Sequence, residues 1–283
     1  MSTGEPVDEQ ESSSSQSSSA EQVDELRADL TAKVAALLEV DDEKARNIVE
    51  AFDTHIARPV EKKFAELRPH DLTKRNPYFY AVLGITSVED WVDRALADRE
   101  TSALEGHVGT WLEDVARIMS GGVKPGGGVD VQREVDTVEL YSLQMAGNTK
   151  SSGGSQQEIA KLRLAARPLR GHRKSVTMIL GVMHGRKASA SPKAAPDVLK
   201  PSSNELWEML TGQKDVLPRL AEAARLLSVL VSARAHDEAE RLKLDAVRTF
   251  AAADGTLDLR KLVEPPPRPR RRKSKKGGSS EGE

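Results

Sequence analysis

The chain contains no cysteine. That absence excludes disulfides, thiol nucleophiles and cysteine-ligated zinc sites, and it is typical of proteins from a reducing compartment. Aromatic residues make up only 4% of the sequence, so aliphatic side chains must fill most of the core. No apolar run approaches membrane-spanning length, and the first residues lack the character of a secretory signal. We therefore predict a cytoplasmic protein without membrane association.

Charge is nearly balanced over the whole chain but unevenly distributed along it. The formal net charge is -2 for 283 residues. Residues 1–26 contain no Lys or Arg, whereas the C-terminal stretch PPPRPRRRKSKKGG is densely basic. Residues 1–20, with SSSSQSSSA at their centre, and residues 265–283 are too polar to pack, so we predict two disordered tails. With 38% hydrophobic residues overall, residues 21–264 are expected to form a single domain.

Helical periodicity dominates both ends of this domain, over residues 21–120 and 200–255. VDELRADLTAKVAALLEV repeats apolar residues at steps of three and four, and DDEKARNIVEAFDTHIARPVEKKFAEL repeats that pattern. A third segment, TSVEDWVDRALADRETSALEGHVGTWLEDVARIMSG, is predicted to break into two helices near Ser102.

Residues 121–190 have a different character. GGVKPGGGVDVQREVDTVELYSLQM is rich in glycine and then alternates with period two, which is typical of a loop followed by two adjacent strands. QQEIAKLRLAARPL returns to a helix, and SVTMILGVMHG reads as a short buried strand. Helices, a hairpin, a helix, a strand and further helices together predict a mixed α/β core with helical decoration.

Polar residues concentrate at the ends of the two hairpin strands. Asp130 follows three glycines and opens the first strand, where a loop tip would expose its carboxylate. On a regular second strand, Ser142 and Gln144 share one face with Leu140. Glu113 lies beside an apolar helical stripe, from which a glutamate can reach over the edge of a core. Next to Asp130 it could share a cation, because such ions take carboxylate ligands.

Several motifs within residues 75–217 follow the order of a known enzyme group. RNPYFYAVLGITSVEDWVDRALADRETSALEGHVGTWLEDVA has an asparagine-proline-aromatic start, a helix, a serine-bearing break, and then a glycine and a glutamate. GVD enters the first strand, and LQMAGNT stands where the group has a lysine followed by Ser-Gly-Pro-Asn-Thr. GVMHGR and NELWEMLTG resemble a later core strand and a Trp-bearing helix. In these features the chain resembles type II restriction endonucleases of the PD-(D/E)xK nuclease superfamily.

The resemblance implies a restriction-endonuclease-like mixed sheet flanked by helices, with a helical N-terminal region. It implies Asp130 as the metal-binding aspartate and Glu113 as the helix glutamate, a candidate metal ligand. Gln144 stands in place of the lysine that aligns the attacking water, and Ser142 stands in place of the middle acid. The second carboxylate is left open between Glu113 and Glu139, the latter only if the strand is bulged.

The activity implied by the resemblance is Mg²⁺-dependent hydrolysis of phosphodiester bonds in double-stranded DNA, in a restriction system. A homodimer is expected, since a two-fold symmetric site is read by a two-fold protein. Two alternatives remain. Ser142 and Gln144 favour a DNA-binding protein that descends from such a nuclease and no longer cuts. The other alternative is a helical interaction protein whose strands are only a scaffold.

Side chains near the second strand and in the loop RPLRGHRKS are candidates for DNA contact. They are Asn148, Thr149, Lys150, Arg170, Arg173 and Lys174. The basic C-terminal tail could add phosphate contacts that do not depend on sequence.

Overall fold

The computed structural model describes residues 11–74, 76–146, 152–172, 174–185 and 195–265. The predicted disordered tails therefore lie largely outside the described residues. The first helix begins at Glu11, which corrects the boundary expected after residue 20. Serine only moderately disfavours helix and glutamine is a good helix former, so a helix that is fixed downstream can extend into them.

Helices precede and follow the sheet, as the apolar periodicity predicts. They are α1 (Glu11–Leu38), α2 (Asp42–Phe52), a π-helical turn (Asp53–Ala57), α3 (Arg58–Glu66), α4 (Pro69–Leu72), α5 (Pro77–Val82), α6 (Val88–Ser120), α7 (Ser152–Gly171), α8 (Ser203–Thr211), α9 (Val216–Phe250) and α10 (Leu259–Val263). The prediction of a break near Ser102 was wrong, because α6 is continuous. Serine is only a mild helix breaker, and neither glycine nor proline lies within three residues of Ser102.

The described strands form one mixed sheet in the order β1-β2-β3-β4. They are β1 (Val131–Glu134), β2 (Val138–Ala146), β3 (Val176–His184) and β4 (Val198–Leu199). β1 and β2 form the predicted antiparallel hairpin, with Val131 opposite Tyr141. α7 then connects β2 to the parallel strand β3, and β4 adds parallel to β3. The predicted fold class, a mixed sheet flanked by helices, is confirmed.

The period of β2 decides which of its residues face α7. Leu140 belongs to a core that it shares with Leu162 and Ala166 of α7. Ser142 and Gln144 alternate with Leu140 in register and therefore lie on the same side of the sheet. We call this side, with Leu140, Ser142 and Gln144, the α7 face. Its polar residues sit at the end of β2 where the chain enters α7.

The opposite side of the sheet packs against α8. Tyr141 and Leu143 join the larger core there, together with Trp207. The indole Nε1 of Trp207 donates to the carbonyl oxygen of Met183 at 3.0 Å, which fixes α8 against β3. The approach is close because Gly181 has no side chain: a Cβ there would lie 2.5 Å from Leu206 Cδ1.

Replacing Gly181 with alanine should lower the free energy of unfolding by about 1–3 kcal/mol, because overpacking forces buried neighbours out of place. Leu206 is fully buried and cannot swing into solvent. Urea unfolding followed by circular dichroism measures the loss. Gly106→Ala is the matched control, since a Cβ there meets nothing within 4 Å and alanine favours helix. Equal stability of the two variants would contradict the tight packing of α8.

Two compact units are distinguished in the chain. The first comprises residues 1–63 and 100–236, and the second comprises residues 64–99 and 237–283. The first contains the sheet. The second has an aromatic core in which the ring of Trp91 lies 5.1 Å from that of Phe250 and 6.3 Å from that of Tyr80. The single domain expected over residues 21–264 stays a prediction.

Candidate active site

Asp130 is held at the mouth of β1, against the neighbouring strand. Its backbone N–H donates to the carbonyl of Tyr141 at 2.9 Å, and Oδ2 accepts from the N–H of Leu143 at 2.6 Å. Leu143 lies between Ser142 and Gln144 in β2. The structure therefore brings the predicted metal-binding aspartate to the predicted polar pair of the second strand.

The glycines before Asp130 explain this placement. Gly127 and Gly128 have φ angles of +82° and +81°, which other residues rarely adopt. The chain can therefore turn sharply into β1 and present the carboxylate to β2.

Ser142 and Gln144 are almost completely buried, at 1% and 3% exposure. The Ser142 hydroxyl donates to Glu158 Oε2 at 3.0 Å. Gln144 Nε2 has no hydrogen-bond partner among the described residues. A buried donor without a partner costs about 1–3 kcal/mol. Gln144 thus brings an unused N–H group to the α7 face, close to where Asp130 reaches β2.

Glu158 is a candidate site residue that was not predicted from the sequence. It lies in α7, is 8% exposed, and accepts from Ser142 through Oε2. Its other oxygen, Oε1, lies 3.1 Å from Lys161 Nζ. A signal was present in QQEIAKLRLAA: Glu158 stands one turn before Leu162, in line with the apolar stripe that covers the sheet. A carboxylate on such a stripe must meet a polar partner.

Glu139 does not supply a carboxylate to this face. The β1–β2 register is unbroken, so the strand has no bulge to turn the side chain. Glu139 Oε2 accepts from Arg133 Nε at 2.8 Å and from the Tyr141 hydroxyl at 2.7 Å. Burial raises the pKa of Tyr141, and its hydrogen bond to Glu139 raises it further. The option that Glu139 is the second carboxylate is therefore wrong.

Glu113 lies in α6, where one of its oxygens is 3.9 Å from Lys124 Nζ. Lys124 belongs to the glycine-rich loop that leads to Asp130. The assignment of Glu113 as a metal ligand stays a prediction.

Two of the candidate DNA contacts, Arg170 and Lys174, lie among the described residues. Asn148, Thr149, Lys150 and Arg173 lie outside the described residues. Lys174 pairs with Glu134 at 2.7 Å, next to the start of β2. Since β2 rises about 3.3 Å per residue, its start lies about 20 Å from Gln144. Arg170, exposed near the C-terminus of α7, lies toward that same end. Both contacts stay predictions for a surface away from Asp130.

The donor set fits a hard divalent cation that is also held by its substrate. No group of three or more His, Cys, Asp or Glu side chains suited to a metal occurs in the described part of the chain. Two carboxylates instead contact neighbouring residues of β2: Asp130 accepts from the N–H of Leu143, and Glu158 accepts from the Ser142 hydroxyl. Mg²⁺ is commonly bound through one or two carboxylates together with phosphate oxygens and water.

A mixed sheet flanked by helices, with an aspartate at the mouth of one strand and polar residues on the next, is the arrangement expected of restriction-endonuclease-like nucleases. The family model of the type II restriction endonuclease EcoO109I matches residues 44–226, more than half of the chain. The chain belongs to this family, which confirms the resemblance seen in its motifs. Comparison with curated proteins gives no match. Within the described segments, no helix is long and apolar enough to cross a membrane.

Proposed function

We propose that the protein is a Mg²⁺-dependent type II endonuclease that hydrolyses phosphodiester bonds in double-stranded DNA, as part of cytoplasmic restriction of foreign DNA. Membership of the EcoO109I family supports the reaction class. The observation that carries the site is the position of Asp130, whose carboxylate is fixed to β2 between Ser142 and Gln144. Glu158, which is buried, adds a second carboxylate through Ser142.

The reaction consumes one water molecule. Its oxygen forms a bond to phosphorus while the bond from phosphorus to the leaving sugar oxygen breaks. The water gives up a proton to solvent, and the leaving oxygen takes one from solvent. When bound, Mg²⁺ supplies positive charge that offsets the charge developing on the phosphate oxygens. Asp130 and Glu158 are the residues that would hold it.

The remaining polar groups hold the reactants and the metal ligands in place and transfer no proton. The free N–H group of Gln144 is suited to donate to a phosphate oxygen, and its amide can orient a water molecule. Ser142 fixes the Glu158 carboxylate by its 3.0 Å hydrogen bond. Glu113 is proposed as a further metal ligand. Asn148, Thr149 and Lys150 are proposed to follow the site as a DNA-facing loop.

A homodimer is proposed as the active form. A two-fold symmetric DNA site presents two equivalent scissile phosphates, and two copies of one chain related by a two-fold axis meet both. The basic tail and the residues Arg170, Arg173 and Lys174 are proposed to contribute phosphate contacts that do not depend on sequence.

The purified protein should cut unmodified duplex DNA in the presence of Mg²⁺, lose that activity with a chelator, and regain it when Mg²⁺ is restored. A random-sequence duplex library read by end sequencing detects cleavage without knowledge of the recognition site. The alternative of a DNA-binding protein that does not cut is favoured by the neutral Ser142 and Gln144. It prevails if duplex DNA is bound but no strand is nicked at any Mg²⁺ or Mn²⁺ concentration.

A further inference from the structure

Two charged residues stand one helical turn apart in α7, beside two strand positions that lack charge. Ser142 replaces the acid and Gln144 replaces the lysine of the strand motif that the chain otherwise resembles. We propose that α7 supplies both missing charges, with Glu158 as the second metal-binding carboxylate and Lys161 as the lysine of the reaction. This inference rests on the proposed nuclease function and adds the residues that make it possible without a charged strand motif.

Glu158 contacts Ser142, the residue that stands in place of the strand acid. The hydroxyl donates to the carboxylate at 3.0 Å, so the two side chains occupy neighbouring space on the α7 face. A glutamate at position 142 would bring a second negative charge against Glu158, and two carboxylates this close cannot both stay ionised. The small neutral Ser142 and the buried Glu158 are therefore complementary. The site can take its acid from the strand or from the helix.

Lys161 makes two contacts that place it near both carboxylates. Its Nζ lies 3.1 Å from Glu158 Oε1. Its stem passes over the glycine loop, since a Cβ at Gly128 would lie 3.1 Å from Lys161 Cδ. Gly128 stands two residues before Asp130. Lys161 is thus held between the helix carboxylate and the segment that presents the strand carboxylate.

The positive charge of Lys161 would offset negative charge at the site. Asp130, Glu158 and a phosphodiester would place three negative groups on one face of the sheet. Gln144 is neutral, so the strand offers no cation to offset them. The ammonium of Lys161, half-exposed next to Glu158, can approach a phosphate oxygen while its stem stays in place. No proton transfer by Lys161 is required, because its contribution is charge.

DNA cleavage by variants of Lys161 with and without the positive charge tests its proposed role. Lys161→Met should reduce the cleavage rate by about 100-fold or more, the size of effect seen when one stabilising group is removed from a reacting centre. Lys161→Arg keeps the charge and should stay within about tenfold of wild type. Arg163→Met is the matched control on the same helix: Arg163 pairs with Asp197 at 2.6 Å on the exposed side, so cleavage should be unchanged.

Rescue from the strand separates a chemical role from a structural one. Gln144→Lys in the Lys161→Met background should restore cleavage at least tenfold, because the charge returns to the same face. Ser142→Glu should likewise rescue Glu158→Gln. If Lys161 only stabilised the position of α7, a lysine on β2 would not replace it. Failure of both rescues would therefore overturn the proposal that Glu158 and Lys161 take the roles of the strand acid and the strand lysine.

Metal binding without DNA gives a readout independent of cleavage. Titration calorimetry with Mg²⁺ should show affinity reduced about tenfold or more in Glu158→Gln, as expected when a ligand is lost. Lys161→Met should bind Mg²⁺ more tightly than wild type, because a competing cation beside Glu158 is gone. Tighter metal binding together with slower cleavage is a combination that simple destabilisation does not produce.

The outcomes distinguish this inference from the proposed function. A wild-type protein that neither cuts DNA nor binds Mg²⁺ overturns both. A wild-type protein that cuts, alongside Lys161→Met and Glu158→Gln variants that cut and bind Mg²⁺ equally well, overturns only the role of α7. Melting temperatures of the variants, expected within a few degrees of wild type, show that each remains folded.

Discussion

Replacing Asp130 with asparagine should lower the rate of DNA cleavage by about three orders of magnitude, because a charged group that acts on the reacting centre is lost. The variant should remain folded. Oδ2 of Asp130 accepts a hydrogen bond from the N–H of Leu143, and an asparagine carbonyl oxygen of nearly the same shape can accept it as well. DNA affinity should survive, since phosphate contacts elsewhere do not depend on this carboxylate.

Cleavage, Mg²⁺ titration and electrophoretic DNA binding, measured on one preparation, test this expectation. Asp136→Asn provides the matched control, because Asp136 is exposed in the turn between β1 and β2 and its replacement removes the same charge. Cleavage by Asp136→Asn should equal that of wild type. A normal rate for Asp130→Asn at an unchanged melting temperature would remove this carboxylate from the reaction and the whole site assignment with it.

The parts of the site that could be read from sequence are those fixed by local geometry. Alternation along VELYSLQM placed Ser142 and Gln144 on the side of Leu140, because side chains of any regular strand alternate. The hairpin followed from the turn between two alternating runs. β4 was not predicted, because a strand of two residues is too short to show an alternating pattern.

The features of the site that could not be predicted from the sequence depend on contacts between segments that are distant in the chain. Glu158 meets Ser142 across 16 residues of chain, and that contact exists only because α7 returns over β2. The periodic run DDEKARNIVEAFDTHIARPVEKKFAEL indicated uninterrupted helix, yet it contains a π-helical turn at Asp53–Ala57. Apolar residues recur every four positions through it, at Phe52, Ile56 and Val60, so the periodicity does not reveal the turn. Single π-helical turns inside α-helices are frequent at positions whose side chains have a special role.

Asp53, the first residue of that turn, has such a role, because it joins three helices through ion pairs. Its carboxylate is fully buried and is surrounded by guanidinium groups from three helices. Arg27 of α1 donates to Oδ2 at 2.6 Å, Arg58 of α3 at 3.1 Å, and Arg234 of α9 at 2.8 Å. Arg234 also donates to Oδ1. Burial alone would lower the pKa of Arg234, but its hydrogen bonds to Asp53, together with the negative charges of Asp53 and Glu61, raise it.

Asp53→Asn should therefore lower the free energy of unfolding by about 3–5 kcal/mol, the usual cost of removing one partner from a buried ion pair. The amide nearly matches the carboxylate in shape, so the loss reports charge and hydrogen bonding rather than a cavity. Urea unfolding at neutral pH measures it. Asp29→Asn is the control: Asp29 also pairs at 2.6 Å, with Lys33, but both side chains are half-exposed. Such surface pairs contribute about 0–1 kcal/mol.

The size of the difference between these two variants has a direct structural meaning. With Asp53 neutral, the guanidinium groups of Arg27, Arg58 and Arg234 repel one another, and the least exposed of them, Arg234, cannot easily regain water. The helices that carry them should then separate before the sheet unfolds, and amide hydrogen exchange should quicken first in α1 and α9. A loss below about 1 kcal/mol, equal to that of a surface pair, would mean that water reaches all three guanidinium groups and that Asp53 does not hold these helices together.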